Sequence, residues 1–254
     1  MAQAEDTSAR FWEFYALRYS VGAVLGALIL FILIKQNKPL SSLIFIKDGE
    51  PIDIVQAGIF LSIGLVYSYI SSAPILVFHA GRFLIPKVQG SLPSSSPRAM
   101  VLFLISSFIP ATLFALFSSI ELMPRLWLAL LIFIASAVMI GQLQIVFKCH
   151  SKRTELFAFY EKLASQRAKA QGGIVDSYRH LREHGNAFGI VLFEIILALF
   201  IFAATIYTPL ATPEHRPISY ETASALICVL ILWITPASLM WLIACMIERD
   251  FVDS

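Results

Sequence analysis

The chain has 254 residues, 58% of them hydrophobic and only 14% charged, with a mean hydropathy of +0.77 and a formal charge of +2. An average soluble domain carries about 25% charged residues, so the composition excludes a soluble globular protein and indicates an all-α membrane protein. The net charge says little about partners; the informative quantity is where along the chain the positive charges fall.

The N-terminus is acidic at Glu5 and Asp6 and lacks a basic stretch followed by a small-residue cleavage site, so no secretory signal is expected. The first span is expected over Tyr19–Ile34, sixteen residues led by the aromatic run Phe11-Trp12-Glu13-Phe14-Tyr15. A helix needs ~20 residues to cross ~30 Å of hydrocarbon, so this span is short unless the aromatic run leads into it at the interface. Gly22-x-x-x-Gly26, overlapped by Ala23-x-x-x-Ala27, gives the span a smooth face for close helix contact, within the chain in preference to between protomers. The connection that follows is patterned: Leu43-Ile44-Phe45-Ile46, Lys47-Asp48-Gly49-Glu50-Pro51 and Ile52-Asp53-Ile54. It reads either as a short hairpin turned at Asp48-Gly49 or as an apolar connection lying on the bilayer surface.

Span two is expected over Val55–Phe78, with Ser62, Ser68, Ser71, Ser72 and Ala73 forming a small, hydroxylated surface ahead of Pro74. That proline is a helix breaker: it removes a backbone bond to Ile70 and leaves a carbonyl that a serine, water or ion can take up, as Pro110 does in span three (Ala99–Ile120) and Pro236 in span six (Ala223–Ile247), so three kinked helices are expected. Span four is expected over Leu126–Phe147 and span five over Ala187–Tyr207. Between these two lies the basic segment Lys148–Ala187. In its first half Leu156, Phe159, Tyr160 and Leu163 oppose Glu155, Glu161, Lys162 and Arg167; in its second half Ile174, Tyr178 and Leu181 oppose Asp176, Arg179 and Glu183. Gln171-Gly172-Gly173 breaks the pattern, so the segment reads as a helical hairpin. Such a hairpin continues spans four and five, lies on an anionic leaflet, packs its apolar stripes on a partner protein, or is a purely structural coiled hairpin that closes the bundle. The last connection, Thr208–Tyr220, carries Pro209, Pro213 and Pro217 and is expected to be extended.

With the basic segment in the cytoplasm, fourteen of the nineteen Lys and Arg residues lie inside. Only Lys35, Lys38, Lys47, Arg125 and Arg216 are left outside, and an even number of spans puts both termini in the cytoplasm. The expected organisation is one integrated membrane domain: a four-span region over 1–147, a cytoplasmic basic hairpin over 148–186 and a two-span region over 187–254. The expected location is the cell inner (plasma) membrane.

Glu194 is the principal candidate for chemistry, because it interrupts the apolar run Phe188–Phe202. It lies about six residues, roughly 9 Å, inside span five, where an ionisable group costs roughly 2.5 to 3.5 kcal/mol and must face a partner or water. Gln142, His79 and Arg82 fall at similar depth by counting from their span ends, and Arg82 is long enough to snorkel toward Glu194. The four are expected to form a polar cluster near the inner leaflet, serving either transport and gating or structural pairing.

His180 and His184 have the i, i+4 spacing of a two-imidazole helix face, but HExxH and CxxC arrangements are absent, and two solvated histidines explain the pair better. No metal site is expected. Cys228 and Cys245 are separated by ~25 Å of helix rise and Cys149 lies elsewhere, so no disulfide framework is expected. There is no phosphate-binding loop, no Gly-x-Ser-x-Gly elbow and no dense carboxylate set for paired magnesium ions. A dyad of Ser71 or Ser72 with His79 is separated by ~11 Å on a straight helix. The expectation therefore leans against an enzyme and includes no cofactor and no nucleic-acid partner. The leading expectation is a channel- or transporter-like protein in the lipid bilayer, oligomeric, with Glu194 on its pathway. The alternative is a non-transporting membrane subunit or effector of a multiprotein bacterial stress or anti-phage defence system, which binds a cytoplasmic protein through 148–186.

Overall fold

The computed structural model describes residues 20–35, 53–85, 97–118, 121–169, 174–207 and 220–252, and nearly all of these are helical, with no strand among them. The helices are α1 (Ser20–Lys35), α2 (Ile54–Ser71), α3 (Ala73–Ala80), α4 (Pro97–Phe117), α5 (Leu122–Ser151), α6 (Arg153–Lys169), α7 (Ile174–Tyr207) and α8 (Tyr220–Val252). A 3-10 turn, Gly81–Leu84, extends α3. Among the described residues five stretches are long and apolar enough to cross a membrane: Ile54–Leu84, Met100–Phe117, Leu122–Ser151, Gly185–Ala204 and Ala223–Arg249. The protein is an all-α, multi-pass membrane protein. In hydrocarbon a backbone must pair all its polar groups internally, and helices do so within one segment.

Many large apolar side chains face outward, among them Leu102, Phe117, Trp127, Phe147, Phe188 and Trp241. Water would not tolerate such continuous apolar surface on a monomer, whereas lipid does. The hydroxyls within the spans are mostly satisfied on their own helix: Ser62 donates to Gly58 O, Ser107 to Phe103 O, Thr112 to Phe108 O and Thr235 to Ile231 O.

The start of α2 is set by a capping box. The Gln56 N–H donates to Asp53 Oδ1 at 2.7 Å, and the Asp53 N–H donates to Gln56 Oε1 at 3.1 Å. The third arm of the patterned connection, expected as Ile52-Asp53-Ile54, is therefore a helix cap and first turn at Asp53 and Ile54. The rest of that connection lies outside the described residues. Pro74 breaks the helix within this span: α2 closes at Ser71, Ser72 caps it, and Pro74 sits in the first turn of α3, where a missing N–H leaves no bond unmade. The Ser72 N–H takes up the carbonyls of Ser68 and Ile70, and the hydroxyls of Ser71 and Ser72 donate to Ser68 O and Tyr69 O. Pro110 and Pro236 do lie inside α4 and α8.

The chain forms two compact units. The first comprises residues 1–72 and 184–229. In it α1 and α2 run antiparallel, from an edge-to-face contact of Phe31 and Phe60, through Gly26 beside Gly64, to Gly22 beside Ser68. Lys35 ends α1 with its Nζ 5.2 Å from the Phe31 ring centre.

The second unit comprises 73–183 and 230–254. Here α4 and α5 pair along their length, with the rings of Phe108 and Phe133 centred 4.3 Å apart. Arg125 Nη1 donates to Ser118 O at 3.2 Å, covering a carbonyl just past the end of α4. A second cluster buries Val77, Ala80, Val146, Cys149, Leu156, Met240, Ile243 and Ile247 together. Phe83, Ile145, Phe157 and Tyr160 close over it.

The basic segment is helical on both sides of residues 170–173, which lie outside the described range. Its first arm is α6, separated from α5 only by Lys152, whose Nζ pairs with Glu155 at 2.9 Å. Its second arm is continuous with span five, since α7 runs unbroken for 34 residues. The apolar stripe of α6 is used within the unit at its start, where Leu156 is fully buried and Tyr160 packs on the same core.

Candidate functional site

Three helices of the first unit build the surroundings of Glu194. It projects from α7 and is completely buried, at 0% exposure. It lies within the apolar stretch Gly185–Ala204.

Opposite it, α1 presents Gly22. A Cβ built there would stand 3.1 Å from Glu194 Oε1 and 3.2 Å from Ser68 Cβ, with Ser68 Oγ nearer still. The missing side chain is what lets α2 bring Ser68 against the carboxylate. The close approach is maintained one turn further along, where a Cβ on Gly26 would come within 2.6 Å of Gly64 O and one on Gly64 within 2.6 Å of Ala27 N. Both glycines therefore act by absence of bulk, allowing backbone to touch backbone.

From α2, Tyr67 adds a third contact, its hydroxyl donating to the backbone carbonyl of Glu194. This satisfies a phenol that would otherwise be buried without a partner, and it fixes α7 in rotation against α2.

Neither carboxylate oxygen of Glu194 has a hydrogen-bond partner, and neither does Ser68 Oγ, although all three atoms are shielded from solvent. Buried polar atoms are nearly always paired, so three orphans side by side make this the candidate site of the first unit. Comparison with protein-family models, with curated proteins and with solved structures finds no match. What the site can do must follow from its own chemistry.

The other candidates belong to the second unit. His79 and Arg82 share a turn at the end of α3, where Arg82 Nε donates to His79 O at 2.8 Å. That turn rests on α5, since a Cβ on Gly81 would meet Ile145 Cγ2 at 2.7 Å. Gln142 is fully buried on α5, and its amide oxygen and nitrogen both lack partners. The side chains of His180 and His184 lie outside the described residues, and no group of three or more His, Cys, Asp or Glu suited to a metal occurs among the described ones. The cysteines form no disulfide; Cys149 is buried in the second unit's core, whereas Cys228 and Cys245 face outward.

Two functional neighbours escape the sequence reading, Gly64 and Tyr67. Gly64 could have been found by extending the small-residue rule to span two, because Gly64, Ser68 and Ser71 recur at the four- and three-residue spacing of one helix face. Tyr67 carries no such signal. Its partner is a backbone carbonyl 127 residues away.

Proposed function

We propose that the protein is a transporter-like membrane protein in which Glu194 is the ionisable group on the pathway. The observation that carries this reading is a carboxylate within an apolar span, wholly buried, with no cation and no hydrogen bond on either oxygen among the described residues. A carboxylate placed to hold a structure together is expected to have a paired cation or several N–H donors, because an unpaired charge costs several kcal/mol in hydrocarbon. Glu194 instead keeps its capacity to bind. Its full enclosure favours an occluded carrier state over a permanently open pore, in which the group would be wet.

In this reading α1 crosses the membrane as a sixth span and both termini are cytoplasmic, an orientation the distribution of Lys and Arg supports. Cysteine labels at Gln3, Ser165 and Ser254 are then expected to react only from the cytoplasmic side, and labels at Asp48 and His215 only from outside. Reaction of Ser165→Cys from the outside alone would reverse the orientation.

The functional test uses purified protein in sealed vesicles under an imposed ion or pH gradient. Wild-type protein is expected to dissipate the gradient, and Glu194→Gln, nearly the same size, to reduce the rate at least tenfold while eluting and melting like the wild type. Equal rates in the two would remove Glu194 from the pathway. A channel or carrier role for the second unit's buried Gln142 is tested alongside by Gln142→Leu, expected to slow flux less than Glu194→Gln.

A further inference from the structure

Glu194 and Ser68 meet across the bare Cα of Gly22, and what they can bind is limited by how few oxygens are present. A hard metal cation takes about six or more oxygen ligands. Around Glu194 the unsatisfied oxygens among the described residues number three: the two of the carboxylate and Ser68 Oγ. Nearby oxygens are already engaged. The Tyr67 hydroxyl donates to the carbonyl of Glu194, and the Ser68 carbonyl accepts from the Ser71 hydroxyl and the Ser72 N–H. Gly22 contributes no side chain, and a methyl in its place would stand against Glu194 Oε1 and Ser68 Oγ. Three oxygens in a space this small do not replace the hydration shell of a metal ion, but two suffice for a proton, one to carry it and one to accept its hydrogen bond.

We infer that Glu194 and Ser68 form a proton-binding site within the membrane-spanning part of the first unit, in which the neutral carboxylic acid of Glu194 donates its O–H to Ser68 Oγ across Gly22. This deepens the transporter reading by naming its coupling ion. Loading is a bare proton transfer: a hydronium ion on one side gives up a proton, an O–H bond forms on the carboxylate, and that same bond breaks when the proton leaves to water on the other side. No electron changes hands and no further reactant is needed. The accepting hydroxyl must be uncommitted, and Ser68 is distinguished in this respect from Ser62, Ser71 and Ser72, whose hydroxyls are bound to their own helix. Among the described residues, the titratable group facing the site from α2 is Tyr67, tied to the backbone of Glu194; α1 presents Gly22 there, and α7 carries no other ionisable residue between Gly185 and Ala204.

The test is infrared difference spectroscopy of the full-length protein in lipid nanodiscs, titrated over the pH range in which it stays folded, in sodium and then in choline buffer. The expected result is a carbonyl band of a neutral carboxylic acid, absent from Glu194→Gln, shifted in Ser68→Ala because its hydrogen bond is lost, and unchanged between sodium and choline. Ser68→Ala removes one atom from a tight contact and is expected to fold. A band that disappears when sodium replaces choline at constant pH would make the site a metal-cation site and overturn the proposal. So would the absence of any acid band that Glu194→Gln removes. A band unmoved by Ser68→Ala would overturn Ser68 as the acceptor. If the acid band is present but vesicles dissipate no gradient, the proton site stands and the transporter reading falls; flux driven by sodium with no acid band gives the reverse.

Discussion

Gly64→Val is expected to lower the melting temperature of the detergent-solubilised protein by roughly 6 to 12 °C, for a loss of about 3 kcal/mol. The estimate rests on what the new side chain would meet. Even an alanine Cβ at this position would lie 2.6 Å from Ala27 N and 2.9 Å from Ala27 Cα, with the carbonyl of Ala23 closer still. These are backbone atoms, which cannot swing aside as the tip of a side chain can. Helix α1 must therefore retreat from α2 along the whole contact. Within a membrane there is little hydrophobic force to draw the helices back together, since lipid is as apolar as the faces it would cover. The loss should also reach the Glu194 site, one turn away, because Ser68 is held there by the same crossing. Gly58 is the internal control: it lies on the same helix with nothing within 4 Å of its missing Cβ, so Gly58→Ala is expected to be neutral. Equal melting temperatures for Gly64→Val and wild type would show that the two helices do not touch as described.

Leu156→Ala is expected to cost about 2 to 5 kcal/mol and to expose Cys149. Leu156 is wholly buried in the core that joins α6 to α3, α5 and α8, and the thiol of Cys149 is buried in the same cluster. Removing three carbons leaves a cavity beside that thiol and loosens the attachment of α6. In a background carrying Cys228→Ser and Cys245→Ser, which removes the two outward-facing thiols, wild-type Leu156 should keep Cys149 unreactive toward a maleimide. Leu156→Ala should make it react. Leu163, only partly covered, is the matched control, and Leu163→Ala should leave Cys149 protected. Rapid labelling of Cys149 with Leu156 in place would contradict the core as described.

The helical class and the apolar spans were legible because lipid imposes a simple rule on any chain that crosses it, and the rule is written in composition. The isolated carboxylate at Glu194 was legible for the same reason. Its neighbours were not, because Gly22, Ser68 and Glu194 are far apart in the chain and nothing in their local pattern states which helices meet. The stripe of Leu156, Phe159, Tyr160 and Leu163 shows a further limit. Helical periodicity identifies an apolar face, yet the same face serves for lipid, for a partner or for the chain's own core. The core claims Leu156 and Tyr160, and it also takes Phe157, which lies beside the stripe. Pro74 was legible as a helix breaker because its effect is local: the Ser71 and Ser72 hydroxyls and the Ser72 N–H close the turn before it.

The unbroken course of α7 also limits how it can lie in a bilayer. Its 34 residues span about 50 Å, some 20 Å more than the hydrocarbon is thick. A helix of that length cannot stand upright wholly within the apolar layer, so it either tilts steeply or carries part of its length into the polar region.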